Sequence, residues 1–406
     1  MTNLRLDPDA ALPAAPDPWA SSGMPSRRDG PPFHMTEMIG AEPALAVRLL
    51  DRLASPDGPA ARLATAVRET AERGRPILVT GCGTSEHAAQ ATVEILREAM
   101  RAVALPWRLG EAGCPASVQA FEGALENELG GPGSLVIGVS HEGGTWATNL
   151  ALERARASGA IVALITVSTG SPGATLADIV VATEEMDQSW CHTIGYVSAM
   201  LASAAVAGHV AGRPIAPDAA RALLAAGLEA EAVAATERLA AQLSDVERLI
   251  VIASGADRPA ARELVLKVEE GAHLPGAMRD LETLLHGHLA GMDDRTGLVV
   301  VLTDPALTEG RASRAAGVLS AASEIGARSG AIIGTRYDAA IGAGLTPAGR
   351  LIVPAAPGLP DAVATVLGAA VPLQLLTERL ARARGVNPDP IRRDDPAYLR
   401  AAEAAG

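Results

Sequence analysis

The chain has 406 residues, of which 48% are hydrophobic and only 2% aromatic, and its formal net charge is −13. This length fits two or three domains, with a core built from Ala, Val, Leu and Ile. The acidic balance and the scarcity of rings argue against a nucleic-acid partner, because backbone binding needs a basic face and base stacking needs aromatic side chains. Neither feature excludes a single phosphate group bound in a local loop.

The cysteines and the amino terminus predict a cytoplasmic protein. Cys82, Cys114 and Cys191 are odd in number and lack metal-ligand spacing, so we expect reduced thiols. The first residues carry acids and prolines and no apolar signal sequence. We expect no membrane partner, because no uninterrupted apolar run reaches membrane-spanning length and the segment 198–212 reads as a buried helix.

The predicted elements begin after a polar start. Residues 1–33, rich in Pro, Asp and Ala, are predicted to be a disordered tail, and 34–74 to form helices. Strands and helices then alternate. The strands of this first series are predicted at 75–81, 102–109, 134–140, 160–168 and 178–184, and its helices at 91–100 and 151–159.

The pattern restarts after a helical segment at 217–246. Strand, glycine-containing loop and helix recur within 247–272, and further elements are predicted at 297–305, 314–330, 331–335, 350–358 and 371–384. This alternation predicts parallel βαβ units, whose strands are buried on both faces and read as continuous apolar runs. We therefore predict an α/β fold of two tandem halves, 75–216 and 217–375, with a C-terminal tail, 376–406, that covers the site.

Two loops of the first half share one composition. "GCGTS" (81–85) and "SHEGGT" (140–145) each lie between a predicted strand and a predicted helix. Each offers hydroxyl groups and unhindered backbone N–H groups at a helix N-terminus, where the N–H groups lack helical partners and carry partial positive charge. Ligands of open parallel sheets bind beyond the carboxyl ends of the strands. The loops therefore predict one phosphate held by both.

Two other interpretations of these loops stay open. Ser85 or Thr145 can cap a helix N-terminus without any ligand. Alternatively, "TGCGTSEHA" contains two of the three glycines of a dinucleotide-binding fingerprint, with Glu111 after a possible second strand. The third glycine is replaced by Glu86 or a neighbour. A P-loop is excluded, because no Gly-Lys-Ser/Thr sequence occurs.

The two loops resemble those of the SIS (sugar isomerase) family of phosphosugar isomerases, above all the isomerase half of glucosamine-6-phosphate synthase. The family's first loop reads CGTS, as at 82–85, and its second usually reads SQSGET, of which Ser140, Gly143 and Thr145 are kept. The resemblance covers about residues 45–390 and implies two flavodoxin-like subdomains in tandem. No amino-terminal catalytic cysteine or glutaminase domain is found, so we do not expect glutamine as ammonia donor.

The same resemblance assigns chemistry to the segment 262–293. The family has a glutamate base at the end of an "LKLKE" helix and a ring-opening histidine in a later "HGPLA" sequence, and Glu270 and His286 match both positions and their spacing. By resemblance, Glu270 moves a proton between C1 and C2 of an open-chain sugar, His286 helps to open the ring, and Lys267 orients or neutralises charge near the enediolate. A shielded carboxylate, an imidazole and a nearby cation suit this chemistry.

Simpler interpretations compete with these roles. Lys267 and Glu270, three apart on a predicted helix, can form an ordinary surface pair. His286 and His288 suggest a metal site, but residues two apart on a helix do not face each other, and we predict no metal.

Four further residues have open or divergent roles. His87 and His141 either touch ligand or pack the loops, and Glu282 is either a second carboxylate of the site or part of a solvated helix face. Glu142 replaces a serine of the family's second loop. A carboxylate there would repel a phosphate unless it faces an amine, which suggests an amino or glycated sugar phosphate.

The C-terminal tail also departs from the family. The synthase carries a tail lysine that forms an imine with the ketose, whereas 387–400 has no lysine. Arg392 and Arg393 lie there instead, and a guanidinium cannot form a Schiff base at accessible pH. We therefore expect no imine chemistry from the tail.

The sequence is thus identified as a member of the SIS family that acts on a phosphosugar by aldose–ketose isomerisation, or by related deamination or deglycation. The resemblance implies a homodimer and no organic cofactor. A non-catalytic sugar-phosphate sensor and a nicotinamide-dependent dehydrogenase are the alternatives. The residues expected to bind substrate are Gly83, Thr84, Ser85, Ser140, His141, Glu142, Gly143 and Thr145.

Overall fold

Two five-stranded sheets and their flanking helices form the protein, and the computed structural model describes residues 4–5, 28–126 and 129–405. The strands are β1 (Leu4–Arg5), β2 (Ile77–Gly81), β3 (Pro115–Gln119), β4 (Leu135–Val139), β5 (Ile161–Thr166), β6 (Ile179–Ala182), β7 (Glu185–Met186), β8 (Arg248–Ala253), β9 (Gly276–Asp280), β10 (Thr296–Leu302), β11 (Arg328–Gly334) and β12 (Gly349–Val353). The α-helices are α1 (His34–Leu53), α2 (Pro59–Glu72), α3 (Thr84–Ala102), α4 (Ala120–Leu125), α5 (Trp146–Ala157), α6 (Ile194–Ala211), α7 (Pro217–Ala226), α8 (Ala230–Leu243), α9 (Arg258–Ala272), α10 (Thr308–Glu324), α11 (Thr335–Ala340), α12 (Asp361–Ala383) and α13 (Pro396–Ala405).

Both sheets have the same topology. The first is ordered β3-β2-β4-β5-β6 and the second β9-β8-β10-β11-β12, and every neighbouring pair is parallel. Counted from the first strand of each half, both orders are 2-1-3-4-5, the flavodoxin-like arrangement. The predicted α/β fold of two tandem flavodoxin-like subdomains is therefore confirmed.

The central strands are buried along their whole length. Every residue of β4 and β10 is buried. Helices cover both faces of each sheet, so an outward-facing strand residue meets a helix rather than water. This explains why the sequence shows continuous apolar runs instead of alternation at these strands.

The helices between the sheets bury one core that both subdomains share. It contains Val79 and Tyr196 from the first half and Leu264 and Leu376 from the second, all fully buried. Helix α3 packs on α6, α9 packs on α12, and α3 also contacts α9. Separate clusters join α4 and α5 to the other face of the first sheet, and α10 and α11 to that of the second. The start of α3 therefore lies beside α9 at the centre of the molecule.

Two helices of this core have the length and apolar composition of membrane-crossing helices. They are α6 and α12, and 89% of the apolar window of each is buried inside the protein. Such burial identifies both as core helices, which are apolar all round because protein surrounds them. Both helices contain polar residues, such as His209 in α6 and Gln374 in α12, so they do not contradict the expectation that no uninterrupted apolar run reaches this length, and 198–212 is a buried helix as predicted.

The predicted strand at 102–109 is wrong. The carboxylate of Glu111 accepts hydrogen bonds from the backbone N–H groups of Trp107 (2.9 Å) and Arg108 (2.8 Å), which fixes a turn there. The edge of the first sheet is instead β3, whose burial alternates along its length. A half-exposed edge strand lacks the continuous apolar run by which the other strands were predicted.

The predicted disorder at the amino terminus is wrong where the chain is described. Strand β1 pairs antiparallel with β7, and Phe33 is buried just before α1. Residues 1–3 and 6–27 of this predicted tail lie outside the described residues. At the other end of the chain, α12 runs without a break past 375, where the second half was predicted to end. The domain boundaries stay predictions.

Gly81, at the end of β2, is expected to tolerate no side chain. A Cβ there would lie 2.5 Å from the Ser85 carbonyl oxygen and 2.9 Å from that of Val139. Because these are backbone atoms, the loop must shift, and we expect Gly81→Ala to lower the free energy of unfolding by about 1–3 kcal/mol. Gly317→Ala, with open space around an exposed position of α10, should be neutral or stabilising by about 0.5–1 kcal/mol. Urea denaturation measures both; equal effects would contradict the steric argument.

Candidate active site

The carboxyl ends of β2 and β4 open into a cavity of about 1060 Å³. The loops 81–85 and 140–145 form one side of it, the last turn of α9 forms another, and the C-terminal segment 391–398 forms the third. The two loops that the sequence analysis singled out therefore lie together, at the edge where open α/β sheets bind their ligands.

The first loop turns sharply into α3. Gly83 precedes the helix with φ 57°, a left-handed conformation that favours glycine. Thr84 is buried, and its hydroxyl donates to the Glu263 carboxylate at 3.1 Å. Ser85 is partly exposed and lines the cavity, and its hydroxyl has no hydrogen-bond partner among the described residues. Of the two hydroxyls, Ser85 is therefore the one open to an anion.

The second loop brings only some of its predicted residues to the cavity. His141, Glu142 and Thr145 line it. Ser140 and Gly143 do not: Ser140 is 2% exposed, and Gly143 is buried with φ 69°, where a Cβ would overlap a neighbouring side chain. The expectation that these two contact substrate is not met here, because they shape the loop from behind.

Helix capping does not account for the hydroxyls. Ser85 lies inside the first turn of α3, and Thr145 occupies the N-cap position of α5 without a side-chain cap hydrogen bond. Thr145 is exposed at the cavity. The capping interpretation is therefore wrong for both residues, and both hydroxyls are open to a ligand.

A row of alternating charges on α9 lies against the first loop. Glu263, Lys267 and Glu270 are four and three residues apart and share one helix face. Lys267 Nζ lies 3.6 Å from Glu263 Oε1 and forms an ion pair with Glu270. Glu263 Oε2 also lies 2.7 Å from His87 Nδ1. The Lys267 and Glu263 side chains are 0% and 1% exposed, so the surface-pair interpretation is wrong.

The three charges shift one another's pKa values. Burial would lower the pKa of Lys267, but Glu270 and Glu263 raise it above its usual value. Burial would raise the pKa of Glu263, but Lys267 and His87 lower it. For Glu270 burial prevails and raises the pKa, against the effect of Lys267. Lys267 thus stays charged, and Glu270, which is 22% exposed at the cavity, suits a group that takes and returns a proton.

Sequence reasoning missed Glu263, although two signals pointed to this row. One is the spacing from Glu263 to Lys267 to Glu270, which places all three on one face. The other is that Lys267 is the only lysine of the chain, whose other basic residues are all arginines. A lone lysine among arginines indicates a compact ammonium charge that a guanidinium would not replace. His87 packs against this row, which explains its place beside the loop.

His286 lies outside the cavity of its own chain. Its Nε2 is 2.9 Å from Glu282 Oε1, Glu282 also pairs with Arg314, and the His286 side chain is 69% exposed. Glu282 belongs to this solvated cluster and is not a second carboxylate of the cavity. Within one chain, the structure therefore brings Glu270 and Lys267 together with the loops but leaves His286 on the surface.

The C-terminal segment, part of the tail predicted to cover the site, contributes residues that were not named as site residues. Ile391, Arg392, Arg393 and Tyr398 line the cavity. The Arg392 guanidinium donates to the Tyr398 hydroxyl and lies 4.8 Å from the centre of its ring. Arg393 is buried and stacks on Trp190. The lysine-free tail thus presents two guanidinium groups at the wall.

An imidazole and indole wall was also missed. The rings of His141 and His192 are 5.2 Å apart, and those of His192 and Trp190 are 6.3 Å apart. Burial lowers the pKa of His192 well below its usual value, so its ring is neutral. His273 lines the cavity just after α9, and burial lowers its pKa as well. The available signal was a polar and aromatic "SWCH" (189–192) before the apolar helix α6.

The corresponding loop of the second half is filled by the protein itself. Asp257, buried after β8, accepts hydrogen bonds from the backbone N–H groups of Thr303 (2.8 Å) and Asp304 (2.9 Å). Asp304 in turn pairs with Arg311 at 2.5 Å, and a Cβ at Gly255 would overlap this pair. Although the fold is duplicated, side chains of the second half occupy the space that corresponds to the cavity of the first half.

A family model for the SIS domain matches residues 114–210. This segment of the chain is therefore similar to the SIS domain. An isomerizing glutamine–fructose-6-phosphate aminotransferase from Pseudomonas putida is 27% identical over 339 residues, covering 78% of this chain and 50% of that protein. The chain spans about half the length of the curated relatives it matches. The first loop, at 82–85, lies before the segment that the family model matches.

Solved structures have the same fold as this chain. The C-terminal domain of glucosamine-fructose-6-phosphate aminotransferase from Francisella tularensis has a TM-score of 0.73 and 19% identity, covering 90% of this chain and 99% of that one. Tagatose-6-phosphate ketose/aldose isomerase from Escherichia coli has a TM-score of 0.65 and 17% identity, covering 90% and 97%. At these identities the likeness concerns the fold alone.

Removing the Lys267 charge is expected to destabilise the protein strongly. Lys267→Met leaves Glu263 and Glu270 next to each other without a cation, and breaking a buried pair costs about 3–5 kcal/mol. The matched control is Arg328→Met, which breaks an exposed pair with Asp245 worth about 0–1 kcal/mol. Free energies of unfolding from urea titration compare the two. A loss below about 1 kcal/mol for Lys267→Met would show that the row is not the buried network described.

Proposed function

We propose that this chain transfers a proton between C1 and C2 of an open-chain phosphosugar, as an aldose–ketose isomerase or a related deaminase or deglycase. The observation that carries the proposal is the position of Glu270, a partly buried carboxylate beside Lys267 in the cavity that two hydroxyl-bearing loops line. The names of two similar proteins, an isomerizing fructose-6-phosphate aminotransferase and a tagatose-6-phosphate ketose/aldose isomerase, support a sugar-phosphate substrate.

The phosphate is proposed to bind between the two loops. Ser85 and Thr145 offer hydroxyl groups from neighbouring loops, and the starts of α3 and α5 add partial positive charge. Gly83 leaves the approach open, because even a Cβ at that position would find its nearest atom 3.8 Å away. A phosphate held here leaves the sugar chain to extend toward the last turn of α9.

Glu270 is proposed to act as both base and acid. As a carboxylate it removes the proton from C2 of the aldose, or from C1 of the ketose, and an enediolate forms. The protonated Glu270 then returns the proton to the other carbon while the hydroxyl proton passes between O1 and O2, so the substrate is isomerised without loss of electrons. The Lys267 ammonium beside Glu270 lowers the energy of the enediolate. Because Lys267 stays charged and 387–400 lacks lysine, the proposal contains no imine between protein and substrate.

With an amino-substituted substrate, the same proton transfer would be followed by release of the amine. Proton transfer in a ketose with nitrogen at C1 moves the double bond through an enolamine to a C1 imine of the sugar. Water then adds to this imine and the amine leaves, so that substrate and water give an aldose phosphate and a free amine. Glu142, in the second loop, is a carboxylate that can face such an amine.

His286 is proposed to reach the site from a second copy of the chain. Its imidazole is exposed on the surface, outside its own cavity, where ring-opening chemistry cannot use it. A homodimer that offers each His286 to the partner's cavity would complete both sites. The proposal needs no organic cofactor or metal, since the proton moves between groups of the protein and carbons of the substrate. Three free cysteines support a cytoplasmic location.

Glu270→Gln tests the proton transfer. In D2O, the wild type is expected to exchange deuterium into C2 of glucose 6-phosphate or glucosamine 6-phosphate and into C1 of fructose 6-phosphate. The variant keeps size and shape but cannot take a proton, so we expect a loss of about 10²–10⁴-fold. The control Glu247→Gln, an exposed carboxylate paired with Arg295, should retain wild-type exchange. Nuclear magnetic resonance of the sugar phosphates gives the rates.

Deuterium exchange and thermal stabilisation by ligands together separate the alternative functions. Exchange that survives Glu270→Gln unchanged would remove Glu270 from its role. Thermal stabilisation of the wild type by fructose 6-phosphate without any exchange would favour a sensor, for which the surface position of His286 is the one supporting observation. Stabilisation by NAD alone would favour a dehydrogenase.

Mixing two inactive variants tests the shared site. In a dimer of Glu270→Gln and His286→Asn chains, one of the two sites contains both native residues if each His286 serves its partner. Random exchange of subunits makes half of the dimers mixed, so we expect about a quarter of the wild-type rate to return. Each variant alone is the control. No recovery in dimers shown to be mixed would place His286 outside the site or within its own chain.

A further inference from the structure

His192 follows a short segment that the protein holds from two sides. The backbone N–H of Trp190 donates to the Asp389 carbonyl oxygen at 3.0 Å. Cys191 is fully buried, and its Sγ lies 3.9 Å from the Lys267 carbonyl oxygen, near the end of α9. His192 is therefore fixed beside the end of α9 before any ligand arrives, which reduces the entropy that binding must offset.

The His192 ring presents one nitrogen to the cavity. The side chain lines the cavity beside the rings of His141 and Trp190. Its Nε2 is buried and has no hydrogen-bond partner among the residues that the structure describes. Its Nδ1 has no partner in that part of the chain either and, unlike Nε2, is not enclosed by protein. Since polar groups inside proteins are normally paired, the partner that Nδ1 lacks would be supplied by the ligand.

The surroundings of this ring keep it neutral and make it a good proton donor. Burial lowers the pKa of His192 well below its usual value, and the nearby charges of His141, Lys267 and Arg393 lower it further. A neutral imidazole retains one N–H group that can donate. Nearby cations also favour the negative charge that the ring carries after it has given that proton away.

Isomerisation of an open-chain sugar moves two protons, one between carbons and one between oxygens. Glu270 is occupied with the proton between C1 and C2. Lys267 stays charged between Glu263 and Glu270, so it has no free lone pair with which to take a proton. The proton that passes between O1 and O2 therefore needs a further carrier at the end of α9.

A second histidine of the cavity is placed less well for this task. His273 lines the cavity, and burial and the charges of Arg392 and Arg384 lower its pKa, whereas Lys267 has no part in that shift. His273 thus belongs electrostatically to the C-terminal segment. His192, whose pKa does respond to Lys267, belongs to the charged row on α9.

We propose that His192 is a further catalytic residue, which carries the hydroxyl proton between O1 and O2 of the open-chain sugar. This rests on the proposed function. As Glu270 removes the C2 proton of an aldose, electrons reach O1, and the His192 N–H gives its proton to O1. The same nitrogen then takes the proton of the O2 hydroxyl while the C2=O2 bond forms and Glu270 protonates C1. The imidazole is thereby restored, and the aldose has become the ketose.

The test compares two rates for fructose 6-phosphate in D2O: deuterium exchange into C1 of the remaining ketose, and formation of the aldose phosphate. Exchange needs only Glu270, whereas product also needs the transfer between oxygens. In His192→Phe we expect product formation to fall about 10²–10⁴-fold and the ratio of exchange to product to rise roughly ten-fold or more. His192→Gln restores a donor that cannot relay a proton, so it should recover exchange more than product.

His209→Gln is the matched control. His209 lies at the other end of α6, outside the cavity, and contacts the Leu53 carbonyl oxygen, which an amide can also do. Both rates should stay at the wild-type level. Circular dichroism establishes that each variant is folded, and His192→Gln alone gives the ratio if His192→Phe does not fold.

Three results would overturn the assignment or its basis. An equal loss of both rates in the His192 variants would show that the ring only shapes the cavity. A raised ratio in His273→Gln, with an unchanged ratio in both His192 variants, would transfer the role to His273. If folded wild type gives neither exchange nor product with any of the sugar phosphates named above, the proposed function itself fails and this inference with it.

Discussion

The buried ammonium of Lys267 is the charge around which the site is arranged. It has no access to water, so Glu263 and Glu270 must balance it from the same face of α9. One ion pair does not offset the cost of burying the Glu263 carboxylate. This carboxylate therefore also accepts a hydrogen bond from the Thr84 hydroxyl and pairs with the His87 imidazole, both on α3. One desolvated charge thereby joins α9 of the second subdomain to the first loop of the first subdomain.

This arrangement explains how a duplicated fold yields an asymmetric site. Both halves have the same strand order, and both have a loop where a strand of the sheet enters a helix. In the first half that loop borders the open cavity, whereas in the second half Asp257, Asp304 and Arg311 fill the space. The second half contributes the last turn of α9 instead. The proposed anion binding and the proposed proton transfer would thus be supplied by different copies of one architecture.

The strands and loops that were predicted from the sequence are those marked by a pattern of residue types within a short stretch of chain. Continuous apolar runs located the buried strands, and glycine with hydroxyl residues located both loops of the cavity. The edge strand β3 was missed because half of its residues face solvent and interrupt the run. The order of polar residues in a loop also does not tell which of them turn toward a ligand, so Ser140 was expected at the cavity although it is buried behind it.

Residues that reach the site across long stretches of sequence could not be predicted in the same way. The contact of Glu263 with Thr84 joins positions 179 residues apart. The wall formed by His192 and Arg392 depends on how the C-terminal segment crosses the end of the first sheet. The lone lysine and the spacing from Glu263 to Glu270 were the signals for the charge row, and the SWCH sequence was the signal for the wall. His286 matched the family pattern in sequence, but that pattern does not specify its position on the surface of the chain.

The most direct measurement of the central claim is a crystal structure with a hexitol 6-phosphate, which has no carbonyl group and cannot react. We expect its phosphate within hydrogen-bond distance of the Ser85 and Thr145 hydroxyls, with carbons 1 and 2 beside the Glu270 carboxylate. A phosphate bound away from both loops, or a chain whose reactive end points away from Glu270, would contradict the account.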